Sequence, residues 1–163
     1  MSLITTAELA ALLDDANVPL VVCDVRFSLA DHDEGRRLYA AGHIPGARFV
    51  DLHRDLADTS REGAGRHPLP SPQAFAALLG RLGVDRDTRV VAYDAAGGAW
   101  AARLWWMMRA LGHPHACVLD GGWPAWVDDG RPVSTDTPAP EPTTYPVPAD
   151  TAWPGTVTAD DVA

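Results

Sequence analysis

Apolar positions recur along this chain in two rhythms, and the switches between them outline a fold. Leu9, Leu12 and Leu13 fall at helical spacing behind Thr5-Thr6-Ala7-Glu8. In that quartet Thr5 can accept from the backbone of Glu8 while the Glu8 carboxylate reaches back to Thr5, a reciprocal helix cap. The spacing predicts a helix from there to about Asn17. Pro19-Leu20-Val21-Val22-Cys23-Asp24-Val25 is a continuous β-rich run, the pattern of a strand covered on both faces. Ser71-Pro72 reads as an N-cap followed by proline in the first turn, with Phe75, Leu78, Leu79 and Leu82 on one face and Gly83 as the stop. Thr88 to Tyr93 is a second buried strand, broken by Asp94-Ala95-Ala96-Gly97-Gly98, and the apolar stretch from Ala99 to Leu111 stops at Gly112. Ala116 to Leu119 is a third strand, Gly121-Gly122 a turn, and Trp123 to Asp129 a short helix ending at Gly130. Strands alternating with helices predict an α/β domain over residues 4–131, with a mostly parallel central sheet and helices on both faces.

From Pro132 the rhythm stops. Half of the 14 prolines lie between Pro132 and Pro154, so residues 132–156 are expected to be an extended inter-domain linker. The last seven residues, Val157-Thr158-Ala159-Asp160-Asp161-Val162-Ala163, repeat the grammar of Ile4 to Ala10: a β-branched residue, a Thr cap, an acid three residues on, then an aliphatic. The expectation is a second, truncated copy of the domain beginning at residue 157.

Composition narrows the chemistry. At 163 residues, 47% apolar and 21% charged, the chain is about one globular domain, and no apolar run approaches the roughly 18 residues of a membrane span. Met1-Ser2-Leu3 is not the start of a secretory signal, so the cytoplasm is the expected compartment. Thirteen cations against 22 acids give a net charge of −9, which repels nucleic acid and anionic lipid, and neither is expected as a partner. All the cations are Arg, which removes lysine chemistry. Cys23 and Cys117 are too few for a disulfide framework and sit among aliphatic neighbours, where a thiol behaves as a small hydrophobe. Neither Gly97-Gly98 nor Gly121-Gly122 fits a dinucleotide fingerprint and the P-loop lysine is absent, so no cofactor is expected. His113-Pro114-His115 lacks a thiolate or carboxylate set, which predicts a surface turn and no metal site. Arg103 and Arg109 share one helix and face either an anion or solvent, and Trp105 and Trp106 are expected to pack against the sheet or a neighbouring domain.

The segment Tyr39-Ala40-Ala41-Gly42-His43-Ile44-Pro45-Gly46-Ala47 packs two glycines, a proline and a histidine into a tight turn. Its His43 invites a catalytic reading; the favoured one is a buried imidazole bonded to backbone. Asp24-Val25-Arg26, then Gly42-His43-Ile44-Pro45-Gly46-Ala47, then the strand-loop-helix from Tyr93 to Arg109, then Leu119-Asp120-Gly121-Gly122-Trp123 with Trp126 together resemble the rhodanese-like sulfurtransferases. In particular, Val91-Ala92-Tyr93-Asp94 with Arg103 to His113 is similar to the first, non-catalytic repeat of the two-domain thiosulfate and 3-mercaptopyruvate sulfurtransferases.

The resemblance implies a chemistry in which a cysteine thiolate at a strand end takes sulfur from a small donor, holds it as a persulfide and passes it to a thiol or cyanide. The loop after that cysteine points backbone N–H groups at the sulfur, and a helix N-terminus lowers the thiol pKa. Asp94 occupies the cysteine's position here, so the loop Asp94, Ala95, Ala96, Gly97, Gly98, Ala99 is degenerate and the chain is expected to be inactive alone. Its expected partner is the C-terminal repeat of the same polypeptide. Asp24, Arg26, Gly42, His43, Pro45 and Gly46 are then structural motif residues. In mercaptopyruvate-type members the non-catalytic repeat lends a histidine, ahead of a Leu-Pro pair, to its partner's site; His67-Pro68-Leu69-Pro70 matches that place. The family's accompanying acid falls on His53 here, which leaves Asp51 or Asp55 to replace it. The rival readings are a complete enzyme using Cys23 or Cys117, a phosphatase-type use of the fold that Asp94 equally disfavours, and a non-catalytic module for binding or oligomerisation. Truncation would also expose an apolar face, from which a homodimer of the fragment is expected.

Overall fold

The structure, a computed structural model, describes residues 2–61, 63 and 65–156. Five strands and five helices follow one another as β1 (Leu3–Ile4), α1 (Thr6–Asp14), β2 (Leu20–Asp24), α2 (Glu34–Ala41), β3 (Arg48–Phe49), α3 (Pro72–Arg81), β4 (Arg89–Tyr93), α4 (Ala101–Ala110), β5 (Ala116–Leu119) and α5 (Gly122–Asp128). The strands form one sheet in the order β1-β5-β4-β2-β3, and every pairing is parallel.

Period-2 alternation divides the core between the two faces. Val21, Cys23, Val90, Ala92, Ala116 and Val118 meet Phe75, Leu78 and Leu79 of α3 and Leu104, Met107 and Met108 of α4. Val22, Val91, Tyr93 and Leu119 point the other way, against Leu9 of α1, Ile44 and Trp126 of α5. Helices thus cover both faces, as the unbroken β-rich runs require.

Local caps set most helix ends. The reciprocal Thr5–Glu8 cap is formed, and the Ser71 hydroxyl accepts from Ala74 N at 3.1 Å. Gly83, Gly112 and Gly130 follow α3, α4 and α5 with φ of 66°, 76° and 65°, a left-handed stop that suits glycine. Helix α1 ends at Asp14 rather than near Asn17, because Asp15 leaves helical geometry and its carboxylate accepts from Asn17 N at 3.0 Å.

Beyond Pro132 the described residues hold no helix and only an isolated bridge from Ser134 to His43. The stretch is extended, yet it lies on the domain: Tyr145 is buried in the core cluster beside α3 and α4, and Trp153 Nε1 donates to Pro70 O at 2.6 Å. This revises the expectation for His113, which is fully buried. One of its ring nitrogens pairs with the Tyr145 hydroxyl at 3.1 Å and the other with Thr88 O at 2.9 Å. The surface turn predicted for His113-Pro114-His115 holds only for Pro114 and His115. The expected second repeat over residues 157–163 lies outside the described residues.

Candidate active site

The strands β2, β4 and β3 finish level with one another, with Asp24 opposite Tyr93 on one side and Phe49 on the other. From β2 the chain runs outward to β3, and from β4 it runs the opposite way to β5. Connections that diverge at the carboxyl ends of parallel strands open a crevice, the usual site position in such sheets. The loops after β2, β3 and β4 meet there.

Asp94 leaves β4 directly into that crevice and is 1% exposed. Its Oδ1 accepts from Ala96 N at 2.8 Å and Gly98 N at 2.9 Å, and its Oδ2 from Trp100 N and Ala101 N, both at 2.8 Å. The left-handed Gly97 and Gly98, at φ 67° and 87°, curl the loop so that these amides converge. Trp100 and Ala101 open α4, so the carboxylate also sits at a helix N-terminus, where the dipole favours negative charge. The sequence places an acid in a cradle of amide donors; the geometry has that acid occupying four of them. Behind it, Asp94 O accepts from Trp123 N at 2.8 Å, and a Cβ on Gly122 would overlap that carbonyl.

The motif residues form a strut beneath this loop. Arg26 grips the Asp24 carboxylate through Nε at 3.0 Å and Nη2 at 2.5 Å, and donates from Nη2 to Gly42 O at 2.6 Å. The Tyr93 hydroxyl donates to Asp24 Oδ2 at 2.7 Å and accepts from Ile44 N at 3.2 Å. Burial and the neighbouring Asp24 charge push the Tyr93 phenol pKa well up, so it serves as a fixed donor. The Arg26 guanidinium lies 4.4 Å from the Trp123 ring centre. His43 is buried, its two ring nitrogens paired at 2.8 Å with Tyr39 O and Asp136 O. Pro45 is half-buried, and Gly46 turns the chain at φ 74°.

Beside the loop, three imidazoles converge. His32 follows β2, while His53 and His67 follow β3, and one ring nitrogen of each lies within 4.8 Å of the others. His53 Nδ1 and His67 Nε2 are 3.2 Å apart. Phe27 stacks on His32 at 5.4 Å between ring centres and meets His67 and Trp100 edge-on, both at 5.6 Å. Burial first, then the nearby His53, Arg103 and His32, hold the His67 pKa below the ordinary imidazole value, favouring the neutral ring. Asp51 does not pair with His67: its Oδ1 accepts from the backbone of His53 and Arg54. Asp55 accepts from Asp51 N and faces Arg81. Arg103 donates to Leu56 O, His67 O and Pro68 O and so fastens the His67 loop to α4. Arg109 similarly clasps His113 O and Pro114 O. Trp105 donates to Ala116 O at 3.1 Å, and Trp106 stacks near Trp153.

Sequence reasoning missed His32 and Phe27. Both lie in the loop after a strand carboxyl end, the one positional signal that could have marked them.

Neither thiol faces the crevice floor at Asp94. Cys23 packs in the core beneath α3 and α4, and burial pushes its pKa up to about 12. The thiol form is therefore favoured at neutral pH. Burial also raises Cys117. Cys117 lines a cleft of about 750 Å³ with Ser2, Arg89, Trp105, Arg109 and His115. Ser2, Arg89, His115 and Cys117 sit at the amino ends of β1, β4 and β5, the far end of the sheet from Asp94, and Trp105 and Arg109 line the cleft from α4.

The rhodanese-like domain profile matches residues 5–129. The chain is 47% identical over 126 residues to a probable 3-mercaptopyruvate sulfurtransferase of Pseudomonas aeruginosa, covering 76% of this chain and 44% of that protein. It is 45% identical over 124 residues to a putative thiosulfate sulfurtransferase, SseB, of Mycobacterium tuberculosis, covering 76% and 43%. The chain therefore spans less than half the length of these curated relatives. Among solved structures, the 3-mercaptopyruvate sulfotransferase SseA of Escherichia coli superposes with a TM-score of 0.81 at 29% identity, over 99% of this chain and 60% of that one. The 3-mercaptopyruvate sulfurtransferase of Leishmania major gives 0.78 at 29% identity, over 94% and 40%.

Proposed function

The chain belongs to the rhodanese-like domain family, and from that premise we propose that it is the non-catalytic repeat of a tandem thiosulfate or 3-mercaptopyruvate sulfurtransferase, inactive without a partner repeat that carries the cysteine. The observation that carries this reading is the Asp94 carboxylate, which takes up four amide donors of the loop where the family places a persulfide. A carboxylate oxygen is no sulfur nucleophile, and its charge repels an anionic donor from the same cradle. The raised Cys23 and Cys117 pKa values support the reading further, since the thiolate is the attacking form.

In the full enzyme the partner's thiolate would attack the donor's transferable sulfur, breaking its bond to the donor and expelling sulfite from thiosulfate or the enolate of pyruvate from 3-mercaptopyruvate, hold that sulfur as a persulfide, and regain the thiolate when cyanide or a thiol takes the sulfur away. This chain would contribute His67, its pKa held below the ordinary imidazole value by burial and its backbone fixed by Arg103 through the His67 carbonyl, to move a proton at the donor. Where the family has an acid beside that histidine, this chain offers the His53 ring at 3.2 Å.

A cyanide-dependent thiocyanate assay on the purified chain is expected to give no turnover above background. Clear turnover that disappears in Cys23→Ser or Cys117→Ser would sink the proposal. In the full-length tandem protein, His67→Ala is expected to lower kcat for 3-mercaptopyruvate about 10²-fold, the scale of one lost acid–base group. Unchanged kinetics would remove His67 from the reaction.

A further inference from the structure

We infer that His32, His53 and His67 form a binding site for one borderline divalent cation of the zinc class, held by one ring nitrogen from each and with the fourth position open. Three of the six histidines of the chain gather here from two loops, with their ligand atoms mutually within 4.8 Å. Zn–N bonds of about 2.0–2.1 Å in tetrahedral geometry set ligand nitrogens roughly 3.3–3.4 Å apart. The His53–His67 pair, at 3.2 Å, is already at that spacing. A hydrogen bond between those two rings accounts for the pair but not for His32, which packs on His53 with 4.2 Å between ring centres. A shared cation accounts for all three.

The ligands are held in place before any ion arrives. Asp51 pins the His53 turn through its backbone amide at 3.0 Å, Arg103 pins the His67 carbonyl at 3.0 Å, and Phe27 stacks against His32. These contacts fix the backbone at two of the rings and one face of the third. All three rings are half-buried, so an ion can enter from solvent while Phe27 and Trp100 form an apolar wall. The nearby Arg103 charge is engaged by three backbone carbonyls, and the Arg54 charge is paired with Asp33 and Asp51. Imidazole donors select zinc, copper, nickel or iron over magnesium and calcium. The inference stands on this geometry whether or not His67 serves in sulfur transfer.

The test is calorimetric titration of the tag-free chain with Zn²⁺, with Co²⁺ absorption reporting coordination by nitrogen. One saturable site per chain is expected, with Mg²⁺ failing to compete. His32→Ala and His53→Ala should each weaken Zn²⁺ at least tenfold, while His115→Ala leaves it unchanged. In the unaltered chain, Zn²⁺ should shield His32, His53 and His67, but not His115, from diethyl pyrocarbonate when modification is mapped by mass spectrometry. That readout does not depend on any variant folding. No saturable binding, full affinity in either of the two variants, or no shielding of the three rings would overturn the site.

Discussion

Arg26→Ala is expected to destabilise the domain by about 3–5 kcal/mol in urea unfolding, the cost of leaving one member of a buried ion pair alone. Asp24 is completely buried and Arg26 is 3% exposed, so solvent cannot replace the missing guanidinium. The Asp24 carboxylate would keep the Tyr93 hydroxyl and the residue-26 amide as donors but lose all its charge compensation. Gly42 O would lose its 2.6 Å donor and Trp123 its stacked cation. Because the strut joins β2, the turn at His43 and α5, the loss should be felt at three elements together. Arg26→Lys keeps the charge without the planar grip and should fall between the two. A loss under about 1 kcal/mol in the alanine variant would show that water enters and that the strut does not hold the crevice floor.

Asp94→Ala should cost about 3 kcal/mol by the same measurement. Four amides lose their acceptor at once, and hydrogen bonds to a charged group are worth roughly 1.5–3 kcal/mol each. Ala95, Ala96 and Gly97 are exposed, so water can serve part of the loop, which keeps the expected loss well below the sum. Asp94→Cys puts a thiol into the same converging amides at the start of α4, an environment that lowers thiol pKa. The introduced thiol should react with iodoacetamide faster than Cys23 or Cys117. Equal stability of Asp94→Ala and the parent, or an unreactive introduced thiol, would mean that the loop is not an anion cradle.

The elements that were legible in the chain are those built from contacts a few residues long. The Thr5–Glu8 cap, Ser71-Pro72 and the glycines at 83, 112 and 130 act on their own helix ends, and each did what its residue type implies. β1 is two residues long, too short for any periodicity to announce it. Helix α4 begins at Ala101, not Ala99, because the Asp94 carboxylate takes the amides of Trp100 and Ala101 while Gly97 and Gly98 complete a turn. His113 stands between exposed Gly112 and exposed Pro114 and His115, so nothing adjacent in the chain signals its burial. The residue that buries it, Tyr145, arrives from 32 positions away.

The candidate site divides along the same line. Asp94 and the Asp24–Arg26 strut could be marked from their motifs, and the absence of a cysteine in that loop is a property of the chain alone. The convergence of His32 with His53 and His67, the substitution of an imidazole for the acid beside His67, and the use of Arg103 as a loop fastener were settled only by the packing of two loops against each other and against α4 at one end of the sheet. Caps, turns and period-2 strands are decided by neighbours along the backbone, so residue order by itself determined them. A cluster of side chains from separate loops depends on parallel strands ending level with one another, and that arrangement exists only once the sheet has formed.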